Sequence, residues 1–168
     1  ASHYDGATAA AEAVIMAVSA SRGKQRRVVL SPTLHPEYRE TIRTYTQGMG
    51  LSSVGDDDLA QRDPQSLAAL VDDQTACLLV QNPDFLGRIW DLQGLAAQVH
   101  AHGALLVVAC NPISLGMLRT PGAWDADIAL GEGQPLGIPL SYGGPYLGFF
   151  ACKQEHVRRM AGRLVGQT

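Results

Sequence analysis

The chain has 168 residues, 46% of them hydrophobic, which is enough for one domain with a buried core, and we expect residues 1–168 to form a single domain. The formal net charge is -3, and the sequence has no run of lysine or arginine. This balance argues against nucleic acid or an anionic membrane surface as the main partner, and no apolar stretch has transmembrane length.

The first predicted helix begins after Asp5 and runs to Ser21. Apolar residues at helical spacing predict its buried face, which contains Ala10, Ala13, Val14, Ala17 and Val18. Its first turn, Asp5-Gly6-Ala7-Thr8, offers backbone N–H groups, small side chains and a hydroxyl, as in sites that hold an anion at a helix N-terminus. The alternative is that Asp5 and Thr8 only cap the helix.

Strands and helices then alternate along the chain. Apolar runs predict strands at residues 27–32, 51–54, 76–80, 104–110, 127–130 and 147–152, and helical spacing predicts helices at 36–47, 64–71, 91–102 and 154–163. The segment 113–124 is rich in glycine and proline and holds at most a short helix. This order predicts an α/β fold with a mainly parallel sheet covered by helices through right-handed crossovers. Functional loops are then expected at the carboxyl ends of the strands, at residues 31–32, 81–83, 109–112 and 132–135.

Several details of these elements are also predicted. The second helix places Tyr38, Ile42 and Tyr45 on one face. Residues 56–58, three adjacent aspartates, are expected to form a solvated turn rather than a metal site. His100 and His102 diverge on a helix and are expected to be exposed rather than metal ligands, so no metal is predicted.

The cysteines indicate the compartment. They lie inside or at the end of apolar runs without C-x-x-C spacing, at Cys77, Cys110 and Cys152. This pattern favours buried free thiols over disulfides or metal ligands, and it predicts a cytoplasmic protein.

The segment from Gly131 to Gly148, GEGQPLGIPLSYGGPYLG, lies between the last two predicted strands. Its glycines permit close approach of a ligand or partner while its prolines stiffen the loop, which suits a contact loop. A long surface connection with ordinary turn residues is the alternative. The spacing of Gly131, Gly133 and Gly137 is not the dinucleotide fingerprint. The chain also contains no phosphate-binding P-loop motif and no hydrolase nucleophile elbow.

The two lysines of the chain, Lys24 and Lys153, fall outside the predicted functional loops. A Schiff-base enzyme needs a lysine in a shielded site, where burial lowers the pKa of the amine and frees it for attack. Neither lysine has such a position in the sequence.

Five long motifs, in order along nearly the whole chain, resemble those of one family. They are YDGATAAAEA at 4–13, SPTLHP at 31–36, QNPDFLG at 81–87, GEGQPLG at 131–137 and YGGPYLG at 142–148. Together they are similar to the N-terminal half, or subunit 1, of glycine dehydrogenase (decarboxylating), the P-protein family of the glycine cleavage system.

The resemblance implies the large domain of a fold-type-I pyridoxal-phosphate enzyme. In that fold, the helix that opens at Asp5-Gly6-Ala7-Thr8 lies where an active relative holds the cofactor phosphate, so these residues are expected to form a vestigial anion site. Active relatives have an aspartate where this chain has Ala109 or Cys110, and a lysine where it has Gln134. No pyridoxal phosphate is therefore expected to be covalently bound to this chain.

The resemblance also implies a companion subunit that carries the cofactor and pairs with this chain as a heterodimer. Residues 141–146 are expected to face the partner's pyridoxal phosphate, with the Tyr142 hydroxyl and the N–H groups of Gly143 and Gly144 as donors. The implied reaction decarboxylates glycine and transfers the aminomethyl group to the lipoyl arm of the H-protein. This chain would shape the site without performing the covalent step.

Two alternatives stay open from the sequence. One is a self-sufficient pyridoxal-phosphate enzyme, and the other is a non-catalytic α/β ligand-binding or scaffold module with a retired cofactor pocket. Because the chain starts without methionine and ends without an evident stop, we expect a piece of a longer protein. Sheet faces that the missing segments would cover are then expected to leave an apolar patch through which the fragment associates.

Overall fold

The computed structural model describes residues 1–162, 164 and 166 and contains, within them, seven strands and four α-helices. The strands are β1 (Ser2–His3), β2 (Arg27–Leu30), β3 (Ser52–Val54), β4 (Thr75–Gln81), β5 (Leu105–Ala109), β6 (Ile128–Glu132) and β7 (Gly148–Cys152). The helices are α1 (Gly6–Ala20), α2 (Pro36–Thr46), α3 (Pro64–Ala68) and α4 (Leu95–His100). None of the helices in this part of the chain has the length and apolar character needed to cross a membrane.

The strands form one sheet in the order β1-β7-β6-β5-β4-β2-β3. All pairings from β3 to β6 are parallel, while β7 is antiparallel to β6 and to β1. The prediction of a mainly parallel α/β sheet is confirmed. This topology brings the carboxyl ends of β2, β4, β5 and β6 to one edge of the sheet.

Apolar cores cover both faces of the sheet. One contains α1 together with Leu30, Leu79 and Ile128, and the other contains α3, α4 and the opposite faces of β4 and β5. Because β4 and β5 are covered on both sides, their sequences are continuous apolar runs, which is why they could be predicted.

Helix α1 lies between the sheet and α2, and the side chains of its predicted buried face are all buried. Its alanines leave room for the helix to approach the sheet closely. Asp5 and Thr8 form a capping box, in which the Thr8 N–H donates to Asp5 Oδ1 at 2.7 Å and the Asp5 N–H donates to Thr8 Oγ1 at 3.2 Å. The predicted start of this helix is confirmed.

Several element bounds differ from the prediction. Helix α4 begins at Leu95 rather than near residue 91, because Gly94 before it has a φ of +79° and ends the preceding turn. Helix α3 ends at Ala68, and the last predicted helix is a 3₁₀ helix at Gln154–Arg159, with the predicted end at residue 163 outside the described residues. Strand β6 continues to Glu132 because Gly131 and Glu132 pair with β7.

Two details of the prediction are wrong. Asp56 is buried because its carboxylate pairs with the Arg43 guanidinium, so the aspartate turn is not wholly solvated. His100 is partly buried, and its Nε2 lies 2.7 Å from the buried carboxylate of Asp127.

Candidate functional site

The carboxyl ends of the parallel strands enclose a small cavity of about 120 Å³, here called the inner cavity. Its walls come from the ends of β4, β5 and β6 and from the start of α2, as the sequence predicts for this edge of the sheet. Its polar lining residues are His35, Tyr38, Gln81, Cys110, Asn111 and Glu132.

A wider cavity of about 350 Å³, the outer cavity, adjoins it and shares His35, Tyr38 and Glu132 with it. The outer cavity lies between the start of α1 and the loop at residues 133–147. It brings together three residues that the sequence analysis singled out, because Asp5, Ala7 and Gln134 all line it. Tyr146 of the same loop forms another part of its wall.

The carboxylate of Glu132 is the most connected group at this site. Its Oε2 accepts from the N–H of Gly6 at 2.9 Å, and its Oε1 accepts from the N–H groups of Gln134 at 2.9 Å and Leu147 at 3.1 Å. The sequence analysis placed Glu132 in an expected functional loop but gave it no role. The available signal was an acidic residue directly after a buried strand, facing a helix N-terminus that attracts negative charge.

The first turn of α1 therefore donates to carboxylates of the chain itself. The Gly6 N–H is bonded to Glu132, and the Thr8 N–H is bonded to Asp5. The positive end of the helix dipole is thus met by negative charge that Glu132 supplies from within the protein. Whether these residues hold an external anion remains a prediction.

Tyr38 fills the space next to Gly6. A Cβ on Gly6 would overlap the Tyr38 hydroxyl, so this position requires glycine for close approach rather than for backbone freedom. Burial raises the pKa of Tyr38, and the nearby charges of Glu132 and Asp5 raise it further. The phenol is therefore a neutral hydrogen-bonding group at physiological pH.

Cys110 is, with Ala109, one of the two residues that the resemblance sets against the aspartate of active relatives. Burial raises the pKa of its thiol to about 11, so the thiol is protonated at neutral pH. Cys77 is buried as well, and Cys152 is partly buried. All three are free thiols, as the sequence predicts, and Cys110 has neither the charge of a carboxylate nor the reactivity of a thiolate.

Within the loop, residues 141–143 are exposed, whereas Tyr146 lines the outer cavity. Tyr142 is fully exposed, and Ser141 and Tyr142 have φ values of +44° and +55°. The N–H groups of Gly143 and Gly144 both donate to the Leu140 carbonyl, at 3.0 and 3.3 Å. Of the three predicted donors, the loop therefore presents only the Tyr142 hydroxyl to its surroundings, because both N–H groups are bonded within the loop.

Neither lysine lines the two cavities. Lys153 follows β7, and its Nζ lies 2.7 Å from Asp125 and 2.8 Å from Asp127, next to the start of β6. Lys24 is exposed and precedes β2. Both amines thus lie toward the amino ends of the parallel strands, away from the cavities.

One group of residues has the composition of a metal site. Ligand atoms of Asp127, Glu155 and His156 lie within 4.8 Å of one another. The Asp127 carboxylate, however, is already bonded to the Lys153 ammonium, to His100 and to the N–H of Leu106. A cation beside that ammonium would be repelled, so the arrangement is best described as an ion-pair cluster.

Comparison with known proteins gives a consistent result along the whole chain. The sequence model of the glycine cleavage system P-protein family matches residues 1–168. "Probable glycine dehydrogenase (decarboxylating) subunit 1" of Desulforamulus reducens is 52% identical over 100% of this chain, and the protein of the same name from Thermomicrobium roseum is 51% identical over 100%. The chain spans 37% and 38% of the lengths of these two relatives.

Solved structures agree with the sequence relatives. A crystal structure of glycine decarboxylase (P-protein) of the glycine cleavage system, in inhibitor-bound form, superposes with a TM-score of 0.88 at 42% identity, over 99% of this chain and 37% of that one. A cystathione gamma lyase from Micromonospora echinospora superposes with a TM-score of 0.67 at 17% identity, over 94% of this chain and 39% of that one. This second likeness is one of fold.

Proposed function

Because the chain belongs to the glycine cleavage system P-protein family, we propose that it is part of the half of glycine dehydrogenase (decarboxylating) that does not anchor the cofactor. In this proposal a companion subunit binds pyridoxal phosphate and carries its lysine. The two together decarboxylate glycine and pass the aminomethyl group to the lipoyl arm of the H-protein.

The observation that carries the proposal is the bond from the Gly6 N–H to the Glu132 carboxylate. A cofactor phosphate at the start of α1 would compete with this carboxylate for the same donor and would meet its negative charge. Gln134 cannot form an imine, and the side-chain amide of Gln134 is already bonded to the Ile138 carbonyl at 2.6 Å. The residues of this chain therefore do not fit pyridoxal phosphate, and the covalent chemistry is assigned to the companion.

The role of this chain is then to build part of the companion's site. The fully exposed Tyr142 hydroxyl would donate to the companion's cofactor or to the groups at its entrance. The loop also places Gly143 and Gly144 beside Tyr142, where the absence of side chains lets a neighbouring surface come close. Closing the site in this way excludes water from the reacting groups.

Exposed apolar side chains at the carboxyl edge of the sheet support association with a companion. They follow three consecutive parallel strands: Phe85, Leu86 and Ile89 after β4, Ile113 and Met117 after β5, and Leu136 and Leu140 after β6. Met117 is 94% exposed and Leu140 69%. We propose that the companion covers this edge, because apolar clusters of this kind mark interaction surfaces.

Two further expectations concern the domain organisation and the cellular compartment. One sheet with an apolar core on each face supports the view that residues 1–168 form a single domain. The three free thiols support a reducing compartment, and we propose the cytoplasm.

The test is a mixing experiment with the full-length polypeptide and its companion subunit. Glycine decarboxylation is measured with each alone and with both, in the presence of lipoylated H-protein and pyridoxal phosphate. We expect activity only when both are present. Activity of this polypeptide alone would instead favour a self-sufficient enzyme, and full activity of the companion alone would favour a scaffold or ligand-binding module.

A further inference from the structure

The loop at residues 133–147 is joined to the rest of the described chain by few hydrogen bonds. Within the loop, Gly143 and Gly144 donate to Leu140, and the amide side chain of Gln134 donates to Ile138. The first and last residues of the loop are joined by the bond from the Gly133 N–H to the Leu147 carbonyl at 2.6 Å. The other bonds that tie its ends to the sheet edge run through one side chain, Glu132.

The geometry of Glu132 explains how one carboxylate holds both ends of the loop. Its Oε1 accepts from Gln134, at the start of the loop, and from Leu147, at its end. Its Oε2 accepts from Gly6, at the first turn of α1, 126 residues away in sequence. Bonds from N–H groups to an ionised acceptor are stronger than those between neutral groups, so this link is stiffer than the turns inside the loop.

We propose that Glu132 is a positioning residue that fixes the 133–147 loop against α1 and so sets where Tyr142 lies. This inference rests on the proposed function, in which Tyr142 meets the companion's cofactor site. Glu132 itself does not contact the reacting groups in this proposal. It acts by holding the loop in one arrangement before the companion binds. Less conformational entropy is then lost when the shared site forms.

The first test measures the loop directly, by hydrogen–deuterium exchange of the full-length polypeptide without its companion. In Glu132→Ala we expect exchange of peptides covering 133–147 to accelerate by roughly tenfold, because the local opening that exposes their amides becomes easier. Formate added to this variant should reverse the increase, since it can accept the same three N–H bonds. Glu37→Ala, at an exposed glutamate of α2, is the matched control and should leave exchange in the loop unchanged.

The second test measures glycine decarboxylation by the complex. Glu132→Ala should lower kcat by roughly tenfold with nearly unchanged KM for glycine and nearly unchanged affinity for the companion, and formate should restore kcat. Glu132→Gln keeps the shape and one acceptor oxygen, so it should fall between wild type and Glu132→Ala. If Glu132→Ala does not fold, Glu132→Gln carries both tests, with a smaller rise in exchange and a smaller loss of kcat expected.

Unchanged exchange of the loop in Glu132→Ala, or increased exchange that formate does not reverse, would overturn the proposal. So would a kcat that stays at the wild-type value. Failure of the wild-type polypeptide to activate its companion would refute the proposed function instead, and the exchange experiment would still decide whether Glu132 fixes the loop.

Discussion

Asp127 shows how a single residue stabilises the sheet edge opposite the cavities. Its carboxylate is almost fully buried and accepts from Lys153 Nζ at 2.8 Å and from the Leu106 N–H at 2.8 Å, while His100 Nε2 lies 2.7 Å away. These contacts join the start of β6 to α4, β5 and the residue after β7. A buried charge is tolerated here because each oxygen has a partner.

Replacing Lys153 by methionine should lower the free energy of unfolding at neutral pH by about 1–3 kcal/mol, because the buried Asp127 carboxylate loses a charged donor. Urea unfolding of Lys153→Met measures this loss. Lys24→Met, at the other lysine of the chain, is the control and should be close to neutral because Lys24 is exposed. Equal losses of unfolding free energy in the two variants would show that the contact between Lys153 and Asp127 does not stabilise the fold.

The same ion pair predicts a dependence on alkaline pH. Burial by itself would lower the pKa of Lys153, but its bonds to Asp125 and Asp127 raise the pKa above the ordinary 10.5. A group whose pKa is raised on folding contributes stability that is complete below its unfolded pKa and is lost as the pH rises through the folded pKa. The difference in stability between wild type and Lys153→Met should therefore be constant near neutrality and should shrink only above the ordinary pKa of 10.5.

Individual residues of the site were predicted unevenly from the sequence. Asp5 and Thr8 could be predicted to cap α1 because a capping box involves residues close in sequence. Gln134 could be singled out because it belongs to the motif at residues 131–137. The bonding role of Glu132 was missed because its partner Gly6 is distant in sequence and becomes a neighbour only when β6 and α1 pack together. Asp56 was misjudged for the same reason, since its partner Arg43 belongs to α2.

At the scale of elements, α1 determines the geometry of the site. It begins at the outer cavity, and its first turn contacts Glu132, Tyr38 and the end of the sheet. Its alanine-rich sequence lets the helix pack closely against the sheet on one side and α2 on the other. A fixed start of this helix is therefore required for the cavity walls to keep their positions.

Loss of the N-terminal cap of α1 should destabilise the protein by a measurable amount. Asp5→Ala removes the acceptor for the Thr8 N–H and should lower the free energy of unfolding by about 1 kcal/mol. Asp5→Ser keeps an oxygen in reach and should retain most of the stability. Urea unfolding of both variants is the measurement, and equal destabilisation by serine and alanine would show that the cap is not the cause.

The elements that could be predicted share a strong local pattern. β4 and β5 are continuous apolar runs, and α1 and α2 have clear caps. The two residues of β1 have no such pattern, and they form a strand only because they pair with β7. The extension of β6 to Glu132 likewise depends on pairing with β7, because glycine and glutamate have low strand propensity.

At the scale of the whole molecule, the loops at the carboxyl edge of the sheet expose several large apolar side chains to solvent. The exposed apolar side chains lie in the loops that also form the cavity mouths, so one companion could cover the edge and use the outward-facing loop at the same time. Association and site completion would then be a single event.

A charge placed on this edge should weaken the complex. Met117→Glu should reduce affinity for the companion by roughly tenfold or more, because a carboxylate would have to be desolvated within an apolar contact. Gln74→Glu introduces the same charge at the opposite edge, before β4, and should leave affinity unchanged. Titration calorimetry of both variants compares them, and similar affinities would place the interface elsewhere.

In the proposed function, this chain completes a cofactor site without anchoring the cofactor. The most direct measurement is borohydride reduction of the assembled complex with pyridoxal phosphate, followed by mass spectrometry of each polypeptide. We expect the reduced pyridoxyl label on the companion and none on Lys24 or Lys153. A reduced pyridoxyl label on either lysine of this chain would contradict the proposed function.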